Sequence, residues 1–569
     1  MNIRFALPNE LRDAVALAVA DWTDKNKVAR LWQKDPSLWT GDGEEKWLGW
    51  LDIVERQQAD LASYAALGAE IETSDFQTVL LLGMGGSSLC PEVLSLTFGQ
   101  QENFPELRIV DSTDPEQVWT ARNDADLANT LVVVASKSGS TLEPNILKQY
   151  FFNEMKEAVG AERAGSHFVA ITDPGSKMEQ VAKEDGFSHI FYGDATIGGR
   201  FSALSPFGVV AATLAGLNTE KLLAEAAEAV AGAKLDPAEN PAVRLGLLLG
   251  SAANAGRDKL TIFTSSEIYD LGAWMEQLVA ESTGKLGKGI TPVDRETIAA
   301  PEVYGSDRIF VYIRYAGTAA STLDAKVAAI EAAGHPVIQI EIADLYEIFG
   351  QFFTWEIATA VAGSEMGINP FNQPDVEAAK IATRALTEAY EKTGKLAQRD
   401  PVLEDAGIKV YATEAYAATL KAAAPAETLA AYLQAHFDQI HPGDYFAALA
   451  YLPMFSEHEA VIQGLRHKVR DQKRVATCLG FGPRFLHSTG QDYKGGPNSG
   501  VFLEITADHE VDVEIPGKKY SFGVVIDAQA AGDLAVLESR GRRALRVHLG
   551  ADIAAGLETL AAAVDEALE

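Results

Sequence analysis

The chain has 569 residues, 47% hydrophobic and 22% charged, which is ordinary for a globular protein but too long for one core, so two or three domains are expected. Its net charge of −32 argues against nucleic acid or an anionic membrane surface as partner, and any anion site must be locally positive against that background. Two cysteines, Cys90 and Cys478, both in apolar stretches, imply no disulfide framework and fit a reducing, cytoplasmic setting. There is no N-terminal apolar signal segment, no apolar run of about eighteen residues and no zinc-type Cys/His spacing, so neither membrane nor metal is expected.

In chain order, residues 1–75 read as a helical layer holding five of the eight tryptophans: Trp22, Trp32, Trp39, Trp47 and Trp50. These should pack the layer onto the next domain. Residues 76–205 alternate strand and helix, with strands expected at 79–82, 107–110, 131–135, 168–172 and 189–192, a parallel and doubly wound pattern. Residues 206–395 read as a second unit of the same kind, with strands at 260–264, 309–314 and 336–342 and long helices at 345–363 and 376–390. Residues 396–569 read as an α/β appendage: a helix over 411–435, an apolar run at 446–453, a glycine-dense polar stretch at 480–500, strands at 501–505 and 520–525, and a final helix at 554–568. No low-complexity linker sets it apart, so it should dock on the main body.

Two loops carry the chemistry of the first unit. Residues 130–145, TLVVVASKSGSTLEPN, run from a buried strand through Ser136, Lys137, Ser138, Gly139, Ser140 and Thr141 into a helix. A helix start offers unpaired backbone N–H groups and a partial positive charge, so hydroxyl donors there suit an anion. A capped helix start would read the same way, since Ser and Thr are ordinary N-caps. The pattern is not a P-loop. Upstream, Gly83, Gly85, Gly86, Ser87 and Ser88 follow the strand at 79–82. Two such loops fit adjacent parallel strands whose C-terminal ends share one crevice. Further along, GDATIGGRFSALSP (193–206) breaks the pattern with glycine pairs around one cation, Arg200.

Residues 281–285 read Glu281-Ser282-Thr283-Gly284-Lys285, and residues 369–380 read NPFNQPDVEAAK. With GMGGSS, SKSGST and GGRFS in the same order, this set resembles the phosphoglucose isomerase family over residues 75–395. The resemblance implies two sugar-isomerase (SIS) type doubly wound parallel-sheet domains, here followed by the α/β C-terminal appendage. It implies a small-molecule sugar phosphate as ligand and no metal or organic cofactor. It places a phosphate cradle at Gly86, Ser87, Ser136, Lys137, Ser138 and Thr141, with Gln373 grouped with them. Arg200 matches the arginine that stabilises the enediolate, Glu281 the catalytic glutamate, and Lys380 a lysine that helps open the sugar ring. The family is usually dimeric, so a homodimer is an expectation to test, although the sequence does not give the oligomeric state.

These residue types suit an aldose–ketose isomerisation, here of glucose 6-phosphate and fructose 6-phosphate. One carboxylate can carry a proton between C2 and C1 through an enediol, and a fixed guanidinium can stabilise the charge that develops on its oxygens. Common family members carry a ring-opening histidine a few tens of residues after the glutamate, acting in the neighbouring subunit's site. In this chain the only histidine between Glu281 and Lys380 is His335, in a Gly-His-Pro turn. The tail instead offers His487 in FLHSTGQ, with Arg484, Gln491 and Lys494 nearby, and chains with this tail resemble the isomerase half of transaldolase–phosphoglucose isomerase fusions. Two readings of this stretch stay open: His487 enters the cleft and assists ring opening, or the stretch is a purely structural polar loop in which Arg484 and Lys494 make buried bridges. Two other readings remain open at this point: an isomerase of another anionic hexose, such as mannose 6-phosphate or a sulfonated sugar, and a non-catalytic sugar-phosphate sensor. A sensor needs the cradle but no proton-transfer carboxylate.

Overall fold

The computed structural model describes residues 2–319, 322–397 and 399–569. The chain opens on a strand, β1 (Asn2–Ala6), and continues through the helices Asn9–Asp24, Lys27–Trp32, Ile53–Ala59 and Leu61–Glu72. Next comes an all-parallel sheet of β2 (Thr78–Leu82), β3 (Glu106–Val110), β4 (Thr130–Ala135), β5 (Phe168–Thr172) and β6 (His189–Tyr192), in the order β3-β2-β4-β5-β6. Its central strands are unbroken apolar runs because both faces are covered. Val79, Leu81, Leu131 and Val133 join one core, while Leu80, Leu82, Val132 and Val134 join the core on the opposite face. β2 pairs with β3 on one side and β4 on the other, so the strand order reverses there and a crevice opens at their C-terminal ends. The two hydroxyl-rich loops follow those two strands.

The second sheet comprises β7 (Lys259–Thr264), β8 (Thr291–Val293), β9 (Arg308–Tyr315) and β10 (Val337–Ile342), in the order β1-β10-β9-β7-β8. Its strands are parallel except β1, which lies antiparallel on the edge of β10. Residues 2–6 are thus a strand and not part of the expected helical layer. Ile3 and Phe5 pack on the core while Arg4 pairs with Glu331, an alternation too short to register as a strand. The helix Ile348–Met366 is buried on nearly every side, the behaviour of a helix without a polar face. It packs on the helix Pro241–Asn254.

The tryptophans of the N-terminal layer reach both units. Trp22 donates to Glu365 Oε1 (2.7 Å), Trp32 to Ala233 O (3.1 Å) and Trp39 to Ala360 O (2.7 Å). Trp50 and Trp39 meet Phe201 and Phe371 at ring distances of 5.1 and 5.0 Å, giving the segments on either side of those phenylalanines a rigid aromatic floor.

The third sheet holds β11 (Leu403–Asp405), β12 (Ile408–Tyr411), β13 (Tyr445–Tyr451), β14 (Ala476–Phe481), β15 (Gly500–Thr506) and β16 (Arg543–His548), in the order β11-β12-β16-β15-β13-β14. β13 to β16 are parallel. Two expectations in this region need correction. The helix expected over 411–435 is two helices, Glu414–Ala423 and Leu429–Phe437, interrupted at Pro425 and restarted where Thr428 accepts from Ala431 N. The strand expected at 520–525 is instead the start of a long helix, Phe522–Ser539, capped by Ser521. Val524, Val525 and Ile526 are β-formers, and the helix's polar residues Asp527, Gln529, Asp533 and Glu538 are spread around its axis, so no helical period stands out. Among the described residues no helix is long and apolar enough to cross a membrane.

The third unit is keyed to the first by Arg484. Its guanidinium donates to both oxygens of Glu92 (2.7 Å each) and to Asp111 (2.9 Å). Burial pushes the Glu92 carboxyl up to about 7 against the pull of Arg484, so Arg484 is what makes two carboxylates tolerable in this joint. Arg484→Ala should lower stability by about 3 kcal/mol, the low end for a broken buried pair because the arginine is partly exposed. Urea unfolding measures it, and an unchanged midpoint would show that the joint does not depend on the arginine.

Candidate active site

One cleft of about 290 Å³ is lined by every site residue expected from the sequence: Gly86, Ser87, Ser136, Lys137, Ser138, Thr141, Arg200, Glu281, Gln373, Lys380 and His487. It opens where the loops after β2 and β4 face the segment 198–201 and the helices Leu271–Thr283 and Pro374–Thr393. Gly86 is required at its position because a Cβ there would lie 2.0 Å from Gly199 O. The loop after β2 and the Arg200 loop therefore touch backbone to backbone. Gly139 has φ +66°, and a Cβ would lie 2.4 Å from Met178 N. Both glycines serve a close approach that any side chain would prevent.

The hydroxyl loop is built to receive an acceptor-rich group. Ser136 Oγ is buried and has no partner among the described residues, and buried hydroxyls are rarely left so. Thr141 is the N-cap of the helix Leu142–Val159 but makes no side-chain cap bond, so its hydroxyl is free to serve the cleft. Ser138 and Ser140 hydroxyls lie 2.8 Å apart. Lys137 behaves differently: its ammonium donates to Asp173 (2.7 Å) and to Asp194 O (2.7 Å). Burial lowers its pKa, with Asp173 opposing. The lysine side chain thus braces the loop, and its cation is already paired.

Arg200 is 2% exposed and tethered on every side. Nε donates to Ser282 Oγ (2.7 Å), Nη2 to Pro370 O (2.6 Å) and Asn372 O (3.0 Å), and Nη1 to Gln373 Oε1 (3.1 Å). Nη1 also lies 3.4 Å from Glu281 Oε1. Gln373 accordingly stands with the arginine. Burial lowers the Arg200 pKa and Glu281 opposes it; a guanidinium stays charged regardless. The sequence 281–285 now reads as a unit. Glu281 faces the cleft, Ser282 holds Arg200, and Thr283 accepts from Ile290 N (2.9 Å). Gly284 makes room for the Asp492 backbone, and Lys285 ties down the carbonyls of Asn369 and Asn372. Glu281 Oε2 accepts from Gln277 Nε2 (3.2 Å), whose amide also donates to His487 O (2.8 Å).

His487 enters this cleft from the third unit of the same chain. Its Nε2 lies 3.0 Å from Glu143 Oε1, which also accepts from Gln529 Nε2 at 2.7 Å. Burial works against the Glu143 carboxylate, but the charge and hydrogen bond of His487 outweigh it and hold its pKa below the usual value. An ionised Glu143 accepts, so Nε2 carries the hydrogen and Nδ1 is the nitrogen left to act. Lys380, on the helix Pro374–Thr393, is exposed and makes no ion pair among the described residues. His335 lies elsewhere, packed edge-on against Tyr304 and Phe310. The sequence reading missed Glu143, Gln277 and Gln529. Glu143 looks like any acid in a first helical turn, and its partners are 344 and 386 residues away.

The sequence model of one protein family, Phosphoglucose isomerase, matches residues 64–306. A probable glucose-6-phosphate isomerase of Methanococcus maripaludis is 29% identical over 382 residues, 60% of this chain and 84% of that protein. The glucose-6-phosphate isomerase of Rubrobacter xylanophilus is 29% identical over 59% of this chain and 85% of its own. Among solved structures, a hypothetical protein of Thermus thermophilus superposes with a TM-score of 0.59 at 24% identity, covering 68% of this chain and 99% of that one. A glucose-6-phosphate isomerase of Chlamydia trachomatis gives 0.51 at 22% identity, over 59% and 74%. These two likenesses are of fold. The hydroxyl loop should bind a tetrahedral anion whatever the rest of the ligand. A hydrogen bond to a charged group is worth about 1.5–3 kcal/mol, so Thr141→Ala should weaken binding of inorganic phosphate by roughly one to two decades. Titration calorimetry reads this, and unchanged affinity in Ser136→Ala/Thr141→Ala would remove the loop as the anion site.

Proposed function

We propose that this chain, whose residues 64–306 belong to the phosphoglucose isomerase family, is a glucose-6-phosphate isomerase that interconverts glucose 6-phosphate and fructose 6-phosphate. The observation that carries the reading is the meeting of a hydroxyl loop with unpartnered donors, a tethered guanidinium and a carboxylate in one cleft. The phosphate is held by Ser87, Ser136, Ser138 and Thr141 with backbone N–H groups of the same loops. Binding energy from that remote group fixes the sugar so that its C1–C2 edge faces Glu281.

Ring opening comes first. It needs a proton taken from the anomeric hydroxyl and one given to the ring oxygen. His487, oriented by Glu143, and Lys380, with its free ammonium, are the groups we assign to that pair. Glu281 then removes the proton from C2 of the open aldose and returns it to C1, or the reverse. Charge that develops on the enediolate oxygens is met by Arg200, whose hydrogen bonds to Ser282, Pro370 and Asn372 fix it before the reaction begins. Arg200 also holds Glu281 at 3.4 Å, which orients the base. The sensor reading is disfavoured because a binding module has no use for a carboxylate braced between Arg200 and Gln277.

Glu281→Gln keeps shape and hydrogen bonding but cannot accept a proton at neutral pH. It should retain fold and phosphate affinity while losing about two to four decades of kcat. Turnover of fructose 6-phosphate within a few-fold of the parent would exclude the carboxylate as base. His487→Ala should slow turnover by about two decades. The loss should be smaller when the open-chain form is supplied by a chemical mutarotation catalyst. An equal loss with and without that catalyst would place the histidine outside ring opening.

A further inference from the structure

Glu281 and Lys380 sit on different helices, and one buried side chain outside the expected set joins the two. Gln491 is fully buried in the short helix Gly490–Gly495 of the third unit. Its Oε1 accepts from the backbone N–H of Asp375 (2.9 Å) and of Val376 (3.2 Å). These are the first N–H groups of the helix Pro374–Thr393, because Pro374 has none and the N-cap, Gln373, makes no side-chain cap bond. Its Nε2 donates to Asp375 Oδ2 (2.8 Å) and to Gly284 O (2.8 Å). Gly284 directly follows the helix Leu271–Thr283 that bears Glu281. The amide therefore uses two acceptor and two donor positions, its full capacity. It caps the start of the lysine's helix and the end of the glutamate's helix at once.

The surrounding contacts leave this joint little play. A Cβ on Gly284 would lie 2.2 Å from Asp492 Cα, and one on Gly495 would lie 2.3 Å from Asp375 Oδ2. Gly287 N donates to Gly495 O (2.9 Å), and Thr291 Oγ1 donates to Asp492 Oδ2 (2.9 Å). Arg540 pairs with the other oxygen of Asp375 at 2.5 Å. Other residue types fail at position 491 for stated reasons. Methionine fills the volume but takes their partner from two helix N–H groups, one carbonyl and one carboxylate oxygen. Glutamate turns an oxygen on Gly284 O and Asp375, acceptor against acceptor.

We propose that Gln491 is a positioning residue, which sets the placement of Lys380 relative to Glu281 through the two helix ends it bridges. This rests on the isomerase reading above. The phosphate loops follow β2 and β4, and among the described residues no hydrogen bond joins them to Gln491, so they should not feel its loss.

The test compares parent, Gln491→Met and Gln491→Glu in the full chain, with kcat and KM for fructose 6-phosphate and the inhibition constant of inorganic phosphate. Misplacement by about 1 Å can cost a hundredfold, so kcat should fall roughly 10- to 100-fold while phosphate inhibition stays within about threefold of the parent. The same change is then made in a Lys380→Met background. If Gln491 acts through the lysine's helix, its effect there should shrink to a few-fold, the non-additivity expected of coupled residues. A merely structural role would lower stability and give the same loss in both backgrounds. Should Gln491→Met not fold, Gln491→Glu keeps the shape and carries the same comparison. A kcat within threefold of the parent in a folded variant, or a fully additive loss, overturns the proposal. An inactive parent would instead overturn the isomerase reading, so the two failures are told apart.

Discussion

The arginine at position 484 is placed where two carboxylates from another unit, Glu92 and Asp111, would otherwise stand unpaired. Everything that the third unit contributes to the cleft is anchored by that contact. His487 follows three residues later and meets Glu143 of the first unit, and Gln491 follows seven residues later and meets the helices of the second. Lys494 then closes the segment on Asp533, both fully buried. A stretch of polar residues can cross a domain joint only if each charge finds its partner, and 484–494 meets that condition at each of these residues. The cleft is consequently assembled from three sheets of one chain.

The cleft belongs to a chain of net charge −32. Of the cations around the cleft, Lys137 is paired with Asp173 and Arg200 is held by carbonyls, hydroxyl and carboxylate. In the proposed isomerase, phosphate recognition falls to hydroxyls and backbone N–H groups at a helix start, while the unpaired Lys380 of the same cleft is assigned to ring opening. In the same proposal the guanidinium serves the reacting carbons, where fixed charge is worth most. The tryptophans of the first 75 residues support the same arrangement from below, since Trp39 meets Phe371 edge-on and Trp50 packs at a tilt on Phe201.

Much of this was legible in the sequence, for identifiable reasons. The strands at 79–82 and 131–135 stood out because sheets covered on both faces need uninterrupted apolar runs. Glycines at 86 and 139 stood out because the backbone passes too close for any side chain. Residues that act through distant partners left no such mark. Glu143, Gln277 and Gln529 are ordinary polar positions until the fold joins segments hundreds of residues apart, and Gln491 stood out only as a polar neighbour of His487. The strand β1 was too short to declare its period, and the helix Phe522–Ser539 spreads its few polar residues around its axis and shows none.

The most direct measurement is conversion of fructose 6-phosphate by the intact chain in deuterium oxide, followed by proton NMR of the product. A carboxylate that carries the proton through an enediol exchanges part of it with solvent before returning it. Glucose 6-phosphate should therefore form with deuterium at C2 in a fraction of the molecules, and Glu281→Gln should slow conversion and exchange together by about two to four decades. No conversion, or product whose C2 hydrogen never exchanges, would contradict proton transfer by Glu281 in this cleft.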